Sequence, residues 1–137
     1  MSSESELTDE IRLEAAQKNV HLWRNNLGAT YSPHGGFIRY GLANDSAHVN
    51  RVLKSGDLIG IRPIIITPEM VGAIIGQFIS REVKNRDWKF SGTDREKAQQ
   101  NWIDLINRLG GDACFVNSRG SFDEEKISQL GMAAVEG

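Results

Sequence analysis

A chain of 137 residues has the length of one ordinary domain, enough for a single core and not for two. Charged residues make up 25% and hydrophobic ones 39%, a globular balance, and no apolar run approaches the roughly 20 residues needed to span a bilayer. The single cysteine, Cys114, excludes an internal disulfide framework and a cysteine zinc cage, and a net charge of -2 excludes a strong overall attraction to nucleic acid.

The opening MSSESELTDE is polar and acidic and lacks the basic and apolar regions of a signal peptide, so cytoplasmic residence is the expectation. Residues 5–18 read as an amphipathic helix with Leu7, Ile11 and Ala15 on one face, capped by Ser3 or Ser5 and ended by Asn19. HLWRNN reads as a short strand. NLGATYSPHGG, with Pro33 and a glycine pair, reads as a loop, and Gly36 to Leu42 as a second strand. Residues 43–56 are a short helix or an ordered loop. DLIGIR at 57–62 is a strand that meets Pro63, and TPEM at 67–70 starts a short helix that Gly72 stops. Ile74 to Lys84 reads as a long strand and residues 85–93 as a polar loop. Residues 94–109 form the strongest helix, with Ala98, Trp102, Leu105, Ile106 and Leu109 on one face and Gly110-Gly111 as its stop. Asp112 to Asn117 is a buried strand, 122–130 a closing helix, and the tail frays. Alternating helices and strands in a single domain, 1–137, predict an α/β or α+β layout.

Two short segments carry chemistry. In a strand, residues i and i+2 share a face, so Glu82 and Lys84 of REVK project together while Val83 points to the other side, into the core. Phe78, Ile79 and Val83 predict a buried strand, and a buried carboxylate and ammonium need partners. Asp57 of GDLIG, on a neighbouring strand, offers a second carboxylate. Two carboxylates and the Val83 carbonyl make a hard-oxygen site for Mg²⁺ or Mn²⁺. Such a site activates water and clamps a phosphate oxygen, the requirements of phosphodiester hydrolysis, with Lys84 orienting or deprotonating the attacking water. Taken singly, each segment reads more readily as structure, a turn aspartate or a charged strand edge.

The joint spacing is more specific. ESELTDEI, WRNNLG at 23–28, RYGL at 39–42, KSGDLIG at 54–60, ITPEMVG at 66–72, GQFISREVK at 76–84, then Gln99, Trp102 and Gly110-Gly111 follow one another along nearly the whole chain. In these blocks the chain resembles the VRR-NUC family, the virus-type replication-repair nucleases of the PD-(D/E)XK superfamily. The resemblance implies an α/β restriction-endonuclease-like core, a central mixed sheet flanked by helices. It implies a Mg²⁺-dependent endodeoxyribonuclease with Mn²⁺ as substitute, and a homodimer acting on branched DNA such as four-way junctions. It assigns catalysis to Asp57, Glu82, Lys84, Gln99 and Glu4, and metal binding to Asp57, Glu82, Val83 and Glu4. Helical register favours Gln99 over Gln100, three positions before Trp102. Gly56 departs from the family, many of whose members have Pro or Ser there, and the loop 85–93 is longer and bulkier than the family's Gly-rich connection.

Between residues 21 and 120 the chain carries 13 basic and 9 acidic residues, net +4, between acidic ends. That middle is compatible with phosphate binding, though charge alone favours an ordinary mixed surface. The DNA-contact candidates are Arg24, Asn25, Asn26, Arg39, Lys54, Arg86, Trp88 and Lys89. Asn25 and Asn26 serve equally to support the site or cap a turn. Trp88 is a base-stacking candidate or part of a loop folded onto the domain. Two other readings compete with a junction nuclease: a non-catalytic DNA-binding or assembly module, and a nicking enzyme on ordinary duplex.

Overall fold

The first helix begins at a capping box. In the computed structural model, which describes residues 3–132, the Ser3 hydroxyl accepts from the Glu6 N–H at 3.1 Å and the Glu6 carboxylate accepts from the Ser3 N–H at 2.9 Å. Helix α1 then runs Glu4–Gln17 and ends where Asn19 takes a left-handed φ of 57°. The chain divides into two compact units, Met1–Arg62 and Pro63–Gly137, each with its own strands. The architecture is mixed α/β.

In the first unit, β1 (His21–Arg24) lies beside α1 and pairs antiparallel with β4 (Leu58–Ile61), Trp23 opposite Ile59. Gly60 is required there, because a Cβ would collide with the His21 carbonyl of β1. Strands β2 (Gly28–Tyr31) and β3 (Phe37–Tyr40) form an antiparallel hairpin. This corrects the loop expected over 26–36. The turn proper is only SPHGG, closed by the Ser32 N–H donating to the Gly36 carbonyl at 2.6 Å, while Ala29, Thr30 and Tyr31 supply β-forming residues. Helix α2 (Ala47–Val52) follows, its Val49 N–H donating to the Ser46 hydroxyl.

In the second unit, 63–66 forms no strand, and Pro68–Met70 is a single 3-10 turn. Strand β5 spans Ile79–Val83, shorter than the expected 74–84. It pairs parallel with β6 (Asp112–Val116) through the intervening helix α3 (Asp94–Arg108), a βαβ arrangement. Thr93 and Glu96 form a second capping box. The core of this unit is Ile103 and Ile106 of α3 against Ala113 of β6, so the buried stripe of α3 is centred one position beyond the expected Trp102, which is 37% exposed. The Asn107 side chain fastens α3 to β6 by donating to the Ala113 carbonyl at 3.0 Å and accepting from its N–H at 2.8 Å.

The closing helix expected over 122–130 is replaced by irregular chain and a 3-10 turn, Gln129–Gly131. Its Lys126 carbonyl is claimed from elsewhere by Gln77 at 2.8 Å, and Arg81 holds the Ser121 carbonyl just before the segment at 3.1 Å. The fraying tail, 133–137, lies outside the described residues. The described strands make three two-stranded sheets, β1–β4, β2–β3 and β5–β6, where a single central mixed sheet was expected. Strands of four or five residues, with irregular chain between β4 and β5, leave no ladder to join them. Among the described residues no helix is long and apolar enough to cross a membrane.

Candidate functional site

Alternation along β5 separates two sets of side chains. Ser80, Glu82 and Lys84 face α3, where Ser80 accepts from the Trp102 indole at 3.0 Å. Arg81 lies on the other face. Val83, expected in the core, is 74% exposed, because α3 packs on the polar side of the strand rather than the apolar one.

Gln99 of α3 bridges the two charged groups. Lys84 Nζ donates to Gln99 Oε1 at 2.8 Å, and Gln99 Nε2 donates to Glu82 Oε1 at 2.9 Å. An ammonium can only donate and a carboxylate can only accept, so the amide is oriented uniquely between them. Lys84 and Glu82 remain 3.8 Å apart, with the lysine side chain 15% and the glutamate side chain 39% exposed. Gln100 turns away to Asp104. Glu82 opens with Arg95, Gln99 and Trp102 onto a cleft of about 480 Å³.

The polar loop 85–93 folds back over this strand end. The Trp88 indole donates to Glu96 Oε2 at 2.9 Å and its ring lies 4.8 Å from Phe115 of β6. Glu96 Oε1 accepts from the Thr93 N–H at 3.1 Å, the Thr93 hydroxyl at 2.9 Å and the Ser91 hydroxyl at 2.8 Å. The Thr93 N–H above all, helped by Ser91 and opposed by burial, holds the Glu96 carboxyl down at about 2. Lys84 Nζ sits 5.5 Å from the Trp88 ring centre and 5.6 Å from that of Phe115.

The remaining predicted residues divide by unit. Asp57 stands exposed at the start of β4, its carbonyl accepting from the Asn25 N–H at 2.9 Å. The Asn25 side chain is committed to the same turn. Its Nδ2 donates to Ser55 Oγ at 2.7 Å and the Gly56 carbonyl at 2.9 Å, and its Oδ1 accepts from the Leu42 N–H. It therefore braces the SGD turn rather than presenting free donors to phosphate. Glu4 lies exposed in the first turn of α1, where a carboxylate also suits the helix dipole. Arg39 donates to Asn44 at 3.3 Å, Lys54 donates to Asn50 at 2.7 Å, and Arg24 and Asn26 are exposed. In the second unit Arg86 and Lys89 are exposed on the loop that carries Trp88, which is half-buried.

The structure thus brings together Glu82, Lys84 and Gln99, and places Asp57 and Glu4 in the other unit. Among the described residues no three His, Cys, Asp or Glu side chains gather closely enough to hold a metal ion. At β5 the carboxylate of Glu82 takes its hydrogen bond from Gln99 on Oε1 and is partly open to the cleft, an oxygen donor of the kind that Mg²⁺ and Mn²⁺ prefer.

Sequence reasoning missed Glu96, although T-x-x-E at 93–96 is a readable capping box. It also missed Arg81, which pairs with Asp112 at 2.9 Å and covers Phe122 at 4.5 Å. Phe115, which lies beside both Trp88 and Lys84, had no local signal.

Comparison with protein-family models, with curated proteins and with solved structures finds no match to this chain.

Proposed function

We propose that this chain is a metal-dependent DNA endonuclease of the PD-(D/E)XK type that hydrolyses phosphodiester bonds in branched DNA as a homodimer. The observation that carries the proposal is the Glu82–Gln99–Lys84 network: a carboxylate and an ammonium on one strand face, separated by an amide that satisfies both. A purely structural ion pair has no need of the intervening amide, since direct contact would satisfy both charges.

In this reading Glu82 and the Val83 carbonyl would contribute oxygen ligands to Mg²⁺ or Mn²⁺. The ion, when bound, supplies Lewis acidity toward water and positive charge at the phosphate. Gln99 donates to one oxygen of Glu82 only, which leaves the other open to a ligand. Lys84 aims its remaining N–H groups at the attacking water or the scissile phosphate, and its low exposure raises the strength of that interaction. Gln99 fixes the spacing of the two. Two copies related by a twofold axis make paired nicks in a four-way substrate. A partner copy is supported by the exposed apolar residues Ile65, Ile66, Val71 and Ile74 of the second unit.

The test is a labelled panel of duplex, flap, splayed and four-way DNA with Mg²⁺ or Mn²⁺. Cleavage should favour the branched substrates and fall roughly a hundredfold or more in Asp57→Ala, Glu82→Ala and Lys84→Ala proteins that remain folded. Light scattering should give a dimer, and DNA affinity should drop steeply with salt. Tight binding of branched DNA without cleavage under any metal would replace the nuclease with a non-catalytic module. A monomer that cuts linear duplex equally well would remove the junction and dimer parts of the reading.

A further inference from the structure

We propose that Trp88 and Phe115 form an aromatic seat that positions Lys84, with Glu96 as the anchor of Trp88; the inference rests on the nuclease reading of the same site. Three observations converge on it. The Lys84 ammonium lies within 5.6 Å of both ring centres, inside the range of cation–π attraction. The two rings pack on each other at 4.8 Å and 36°, so each buttresses the other. Trp88 is pinned by its indole N–H on Glu96, a carboxylate that is itself bound by Thr93 and Ser91.

The chemical consequence lies in the donors. An ammonium has three N–H groups, and Lys84 spends one on Gln99. A ring face attracts the charge without an oxygen that would compete as a ligand. The seat therefore holds the lysine at 3.8 Å from Glu82, short of a direct hydrogen bond. Without it, Lys84 would be free to collapse onto Glu82, neutralising a metal-binding carboxylate and turning its donors away from substrate. The Lys84 backbone is fixed as well, its N–H donating to the Val116 carbonyl at 2.8 Å. Trp88 and Phe115 are thus positioning residues that act through Lys84.

The experiment has a readout independent of cleavage. In the metal-free protein, NMR should place the Lys84 side-chain Hε signals upfield of the other lysines through the ring currents of Trp88 and Phe115. The signals are assigned by their loss in Lys84→Ala. Trp88→Leu should return them toward the ordinary lysine position, and Trp88→Phe should keep most of the shift. In cleavage assays Trp88→Leu should lower kcat roughly tenfold with KM nearly unchanged, and Trp88→Phe should recover most of it. Phe115→Leu should act in the same direction. Unshifted Lys84 signals in the unmodified protein would overturn the seat. A rise in KM with kcat unchanged in Trp88→Leu would place Trp88 on the DNA and overturn its positioning role. Shifted signals in a protein that cuts no DNA would defeat the nuclease reading and the catalytic part of this inference, while the packing of Lys84 stood.

Discussion

Gln99 and Lys84 meet across the β5–α3 packing, the Lys84 ammonium donating to Gln99 Oε1 at 2.8 Å while the other end of the same amide donates to Glu82. Gln99→Ala removes both bonds at once and leaves a poorly exposed ammonium to find Glu82 directly. Hydrogen bonds to charged groups contribute about 1.5–3 kcal/mol, so kcat should fall roughly tenfold to a hundredfold. Single-turnover cleavage by a folded Gln99→Ala protein measures it. An unchanged rate would make the bridge structural.

Asn25 was a phosphate-contact candidate in the sequence, and its side chain is spent on Ser55, Gly56 and Leu42. Asn25→Ala should lower folding stability by about 1–3 kcal/mol, because several polar groups of the SGD turn lose partners. The slope of DNA affinity against salt should not change, since no phosphate contact is lost. Denaturant unfolding and binding titrations at several salt concentrations decide between brace and contact.

The legible part of this molecule was the part set by local rules. Period-two alternation placed Glu82 and Lys84 on one face, and helical register chose Gln99 over Gln100, whose side chain turns to Asp104. Capping and stop residues gave α3 to within a residue at each end. What failed needed knowledge of distant partners. Alternation says that Val83 opposes Glu82, but not which face the helix will cover, and α3 covers the polar one. The 122–130 segment has a plausible helical pattern, yet Gln77 captures its Lys126 carbonyl from afar and Arg81 ties down the Ser121 carbonyl just before it. Gly28–Tyr31 was masked by the Pro33 and glycine signals of the turn beside it.

Acid should unfold the second unit through Glu96. Its carboxyl is held at about 2 against an ordinary 4.5, so the folded state prefers the charged form. The stabilisation is therefore fully present above the unfolded value, and it is lost as pH falls from there through the folded value. Glu96→Gln should be less stable near neutrality and should show a flatter dependence over that acid window. Denaturation midpoints followed by far-UV circular dichroism across the window test it. An unchanged acid limb in the variant would remove Glu96 as the responsible group.

Arg81 and Asp112 make the second charged pair of β5 and β6, at 2.9 Å and with side chains only 10% and 12% exposed. The guanidinium also reaches the Asp112 and Ser121 carbonyls and the Ser121 hydroxyl, so it ties the chain after β6 to the face of β5 opposite Glu82. Removing one partner leaves the other charge nearly buried and uncompensated, which costs about 3–5 kcal/mol. Arg81→Met should therefore destabilise the fold strongly. Arg81→Met with Asp112→Leu should regain part of the loss, because the stranded carboxylate is gone. Because Arg81 touches none of Glu82, Gln99 and Lys84 through a hydrogen bond, the doubly substituted protein should cleave at close to the unmodified rate wherever it remains folded. A double-mutant cycle by denaturant unfolding, with cleavage measured on the same proteins, separates the two effects. A double variant as unstable as Arg81→Met alone would show that the carbonyl contacts, not the ion pair, hold this face. A folded double variant that has lost cleavage would mean that Arg81 shapes the site from behind the strand.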